Sequence, residues 1–120
     1  MFETMLRFPL GLVFLVLEDK SELPDIAGRR NLWRSPGVIA HTVLHDSECA
    51  VHLSAGDGRA DGAPLLLFGD NVTSTRRRLE IWDVYLKRIA SIPLADDRVR
   101  LMMWGNHPRQ SGRIHIQLPG

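Results

Sequence analysis

Thr73-Ser74-Thr75-Arg76-Arg77-Arg78-Leu79-Glu80-Ile81-Trp82-Asp83-Val84-Tyr85-Leu86-Lys87-Arg88-Ile89-Ala90-Ser91 is the stretch on which the reading of the fold turns. Leu79, Trp82, Leu86 and Ile89 recur at i, i+3, i+7 and i+10, with Tyr85 and Ala90 beside them. That spacing predicts one apolar stripe on a long amphipathic helix over residues 73–91. Glu80, Asp83, Lys87 and Arg88 fall off the stripe, and Asp83 and Lys87 stand as an i,i+4 ion pair. Asp70 or Thr73 is the expected N-cap, and Pro93 ends the helix. One such helix cannot bury its stripe alone. The flanking segments read as strands, so a sheet is expected beneath it.

Working outward, residues 6–18 form a run too continuous for an amphipathic helix. Val13, Phe14 and Val16 favour a strand apolar on both faces, hence a central, covered one. A long polar connection follows, with Pro24, Gly28 and Pro36, and with Trp33 as its anchor to the core. Val38–His45 and Cys49–Ser54 read as a hairpin, Leu65–Phe68 as a short strand, and Arg98–Trp104 with Arg113–Leu118 as a second hairpin. The expected class is α+β. About six mostly antiparallel strands are covered by one helix, in a single domain over residues 1–120.

Composition narrows the function classes. The apolar fraction of 44% and charged fraction of 24% are those of an ordinary globular protein. A net charge of +1 provides no global field for nucleic acid or membrane. Phe8–Leu17 is about half of what a bilayer-spanning helix needs. Glu3 and Glu18-Asp19-Lys20 do not fit a signal peptide. The single cysteine, Cys49, makes no disulfide framework, so a cytoplasmic chain without membrane contact is expected.

Three sets of residues carry candidate chemistry. Thr73 to Arg78 places hydroxyls and the guanidinium groups of Arg76, Arg77 and Arg78 at the expected helix start, which suits an anion. Arg29, Arg30 and Arg34 around Trp33 extend that surface, although nucleic-acid contact would be weak and salt-sensitive at this net charge. His41, His45, His52 and Cys49 on the expected hairpin offer an alternative, a metal site or a Cys/His nucleophile pair. Two-residue steps put His41 and His45 roughly 13 Å apart along an extended strand, which works against a shared metal ion. The glycine-rich run Gly56-Asp57-Gly58-Arg59-Ala60-Asp61-Gly62 has the wrong spacing for a dinucleotide loop and precedes a strand, so no cofactor is expected.

Phe8-Pro9-Leu10, Glu18-Asp19, Pro24 and Trp33-Arg34-Ser35-Pro36, with Val51-His52-Leu53, Leu65–Gly69 and the expected helix over Leu79–Ile89, carry a resemblance. The chain resembles, over residues 6–90, a bacterial family of uncharacterised transcriptional-regulator-like proteins. The resemblance implies a DNA-associated regulatory role. Those proteins continue into a helical DNA-binding part, whereas Arg98–Gly120 here reads as a hairpin. The reading that follows is a small binding or regulatory module without catalysis. It engages a protein partner or a second copy of itself, for which edge strands are suited. A small enzyme built on His41, His45, His52 or Cys49 is the alternative.

Overall fold

Leu12–Val16, the strand β2, is buried at all five positions because it is covered on both faces. The computed structural model describes residues 2–18, 23–28, 30–45 and 50–118, and within these the chain forms ten strands in two sheets. Besides β2 they are β1 (Phe2–Leu6), β3 (Leu32–Ser35), β4 (Val38–Thr42), β5 (Val51–Gly56), β6 (Leu65–Thr73), β7 (Arg78–Trp82), β8 (Arg88–Pro93), β9 (Arg98–Gly105) and β10 (Arg113–Gln117). The first sheet runs β1-β5-β10-β9-β6 and the second β3-β4-β2-β7-β8. Neighbours are antiparallel except the parallel pair β5 and β10.

The two sheets share one core. Val13 and Leu15 from β2, Ile39 from β4, and Leu79 and Ile81 from β7 pack with Val51 and Leu53 from β5, Leu101 and Met103 from β9, and Ile114 and Ile116 from β10. Burying each such side chain stabilises the fold by about 1.5–3 kcal/mol. The alternate positions of the second sheet, Leu12, Phe14, Val16, Val38, Ala40 and Trp33, form a second apolar layer on its outer face. Trp33 Nε1 donates to the Ala27 carbonyl at 3.1 Å, so the connection before β3 is held against this layer. The unbroken apolar run of β2 thus has the meaning its sequence gives it.

The expected α+β class is corrected. There is no long helix over residues 73–91; a 3-10 turn at Pro9–Gly11 is the only helical element among the described residues. Leu79 and Ile81 face the core while Glu80 and Trp82 face away, a period of two inside a stretch whose apolar spacing predicts a period near 3.6. Asp83 ends the strand. Its carboxylate accepts from the amides of Tyr85 at 2.9 Å and Lys87 at 3.0 Å, bonds that compete directly with helical ones. The chain reverses there and returns as β8, paired with β7. The i,i+4 relation of Asp83 and Lys87 is therefore a turn closure rather than a helical ion pair.

A second correction concerns residues 38–54. β4 and β5 do not form a hairpin; they belong to different sheets. The β9–β10 hairpin is present, with Ile114 opposite Gly105. No helix among the described residues is long and apolar enough to cross a membrane.

Candidate functional site

The arginines singled out in the sequence are dispersed. Arg76 and Arg78 lie where the chain crosses from β6 into β7. Arg76 donates to Glu80 at 3.1 Å and Arg78 to Ser91 at 2.7 Å. Glu80 is only 5% exposed and also receives Arg88 at 3.0 Å. Burial alone pushes the Glu80 carboxyl up, but the hydrogen bonds and charges of Arg88 and Arg76 outweigh it and hold the group below its ordinary value. Arg77 is exposed in a left-handed turn, φ +53°. Ser74, fully buried, fixes this crossing by donating to the Leu17 carbonyl at 2.7 Å and accepting from the Arg78 amide at 3.1 Å. Arg34 lies on β3, three strand positions from β7, so roughly 14 Å away across the sheet. It pairs with Asp70 of the other sheet at 2.8 Å and sits over the Phe68 ring. Arg30 lies at the opposite end of the second sheet, because Asn31 accepts from Thr42 beside the start of β3. Arg29 lies outside the described residues.

The histidines are not brought together either. His41 is buried on the core side of β4 and donates from Nδ1 to the Thr42 carbonyl at 2.7 Å; burial pushes its pKa down, with that bond partly opposing. His45 is exposed, paired through its backbone with Phe8. His52 lies on β5 in the other sheet and meets Glu3 at 2.6 Å. Cys49 lies outside the described residues. Among the described residues no three His, Cys, Asp or Glu side chains are grouped to hold a metal ion.

One polar cluster escaped sequence reasoning. Ser54 Oγ and His115 Nδ1 are 2.8 Å apart on neighbouring strands, and His115 Nε2 donates to the Gly58 carbonyl. Gln117 joins the Asp57 carbonyl to Trp104 Nε1, Arg59 stacks over Trp104 at 4.0 Å, and Arg113 donates to the Asp61 carbonyl. With Nε2 donating, Nδ1 accepts the serine proton, the pairing of a nucleophile and its base. Yet Ser54 and His115 are both buried, and His115, Gln117, Arg113 and Trp104 hold residues 57–61 against the first sheet. It borders a groove of about 260 Å³, but its local chemistry is that of a staple.

A different feature presents side chains outward. Leu10 and Leu86 both have left-handed backbone, φ +57° and +63°, and are 61% and 51% exposed. Tyr85, next to Leu86, is 72% exposed. Such a conformation costs a bulky residue about 1–2 kcal/mol, and glycine would carry none of that strain. Neighbouring bonds impose it. Gly11 donates to Phe8 at 3.0 Å and accepts from Val43 at 2.9 Å, while Leu86 donates to Asp83 at 3.1 Å. The two leucines share one end of the second sheet. β2 and β7 are adjacent and antiparallel with Phe14 opposite Trp82, so Leu10, before β2, and Leu86, after β7, leave the sheet on the same side. Arg30 and Lys87 are exposed at that end and form no ion pair among the described residues, and Arg88 follows. A helical spacing would put Leu86 and Tyr85 on or beside a buried stripe, so the sequence pattern hides this surface.

No protein-family model matches this chain, and no curated protein does. Among solved structures it is similar to ComJ from Bacillus subtilis, described as an inhibitor of the DNA degrading activity of NucA. The two superpose with a TM-score of 0.71 over 100% of this chain and 96% of that one, at 10% sequence identity. At that identity the likeness is one of fold.

Proposed function

We propose that this chain is a non-catalytic protein-binding module that inhibits a DNA-degrading enzyme by occupying it. The observation that carries the reading is the end-to-end correspondence of its two-sheet fold with a nuclease inhibitor. The distribution of side chains supports it. Arg76 and Arg78 are engaged by Glu80 and Ser91, and Ser54 and His115 are held in the loop staple, while large apolar side chains face solvent. Inhibition then acts on the enzyme and not on its DNA. Two measurements test this on the purified chain. Fluorescence anisotropy of a labelled DNA duplex is expected to stay flat at low salt, where any phosphate contact is strongest. Affinity purification from an extract of the cells that make the chain is expected to retain a protein at one-to-one stoichiometry that cleaves plasmid DNA once separated. Salt-sensitive DNA binding, or retention only of proteins without nuclease activity, contradicts the proposal.

A further inference from the structure

We infer that the binding surface is the strained end of the second sheet, where Leu10, Tyr85 and Leu86 insert into an apolar pocket of a protein partner whose rim carries carboxylates. The inference rests on the protein-binding reading above. Its first support is the mismatch between backbone and side chain at Leu10 and Leu86. Each holds a conformation suited to glycine, and each leaves more than half of its surface in water. The fold gains little from either side chain, so their use lies outside the chain. Its second support is rigidity. Asp83 accepts from two amides of the turn and its own amide donates to the Lys87 carbonyl at 3.0 Å, so Tyr85 and Leu86 are presented with little freedom to lose on binding. The exposed tyrosine on this fixed turn is of a type enriched in binding hot spots, and the leucines beside it add apolar area around it.

Charge selects the occupant. Arg30 and Lys87 stand exposed at this end, Arg88 is turned away to Glu80, and the nearby Asp83 carboxylate is turned into its own turn. A partner rim of carboxylates complements these cations. A second copy docked face to face would bring the same cations together, which disfavours self-pairing here.

The test places a benzophenone amino acid at position 85 and, as a control, at position 61 on the stapled loop of the other sheet. Irradiation in cell extract is expected to link position 85, and not position 61, to the same protein that the unmodified chain retains. Leu10→Gly and Leu86→Gly are each expected to weaken that retention at least tenfold while the thermal midpoint holds or rises, since glycine relieves the strain. Lys87→Glu is expected to slow association and to flatten its dependence on salt. Undiminished retention by both glycine variants overturns this surface but leaves the protein-binding reading standing. So does a link only from position 61. An adduct of twice the chain mass reassigns the end to self-association, and sedimentation with phosphatidylserine vesicles reassigns it to a lipid surface; either overturns the inference. If the unmodified chain retains no protein, the proposed function falls with it.

Discussion

Asp83→Ala separates the hairpin from the helix by the size of the stability loss. In the hairpin, the Asp83 carboxylate accepts from two backbone amides, at 2.9 and 3.0 Å, and the residue is 8% exposed. Hydrogen bonds to a charged group contribute about 1.5–3 kcal/mol each. Part of that returns as water reaches the freed amides at the turn, which leaves an expected loss of about 2–4 kcal/mol. For a chain of this length the thermal midpoint then falls by roughly 8–15 °C. On a helix the same substitution replaces a poor helix former with the best one, a gain of about 0.5 kcal/mol. Loss of an i,i+4 pair offsets that by about 0.3–0.5 kcal/mol, for a net effect near zero. Urea unfolding and a thermal melt followed by circular dichroism measure the difference. An unchanged or raised midpoint refutes the turn-closing role assigned to Asp83.

Further outcomes follow from buried polar groups. Glu80→Gln keeps the shape but removes the charge that faces Arg76 and Arg88, and is expected to cost about 1–3 kcal/mol in urea unfolding. Because the folded Glu80 value lies below the ordinary one, near 4.5, its contribution is complete above that pH and lost as pH falls through the folded value; the variant's stability profile is flatter in that acid limb. His41 has a lowered folded value, so the unfolded chain takes up its proton first as pH drops below about 6.5. Stability is expected to fall from there toward the folded value, and His41→Asn to remove that component from melts taken across pH 5–8. Ser74→Ala leaves the Leu17 carbonyl and Arg78 amide without their buried partner and is expected to cost about 1–3 kcal/mol by chemical denaturation. Leu86→Gly, alone among these, is expected not to lower stability.

The sequence is informative where a local pattern alone decides the strand. β2 was legible because a strand covered on both faces reads as an unbroken apolar run, and the β9–β10 hairpin because Ile114, Ile116 and Leu118 alternate with polar residues. It misled where two short strands flank a tight turn. Leu79 and Leu86 mimic a helical stripe only because the five-residue turn moves the chain to the next strand in a near-helical number of residues. β-branched and aromatic content (Ile81, Trp82, Val84, Tyr85, Ile89, Ile92) was the counter-signal, together with Asp83, whose short carboxylate favours turns. Pairing between distant strands has no local signature, which is why β4 and β5 were joined in sequence and are separated in space. The same limit hid the Ser54–His115 pair, sixty-one residues apart. Leu10 and Leu86 were visible as residues, but their strain and exposure depend on backbone angles that no pattern encodes.

We propose that this two-sheet chain blocks a DNA-degrading enzyme by binding it. The most direct test is the rate of plasmid cleavage by the enzyme retained on the chain, measured as purified chain is added back. Cleavage is expected to fall in proportion to added chain and to stop near one equivalent, with the titration unchanged when the plasmid concentration is varied. Cleavage that continues at full rate with the chain in excess rules out inhibition by binding.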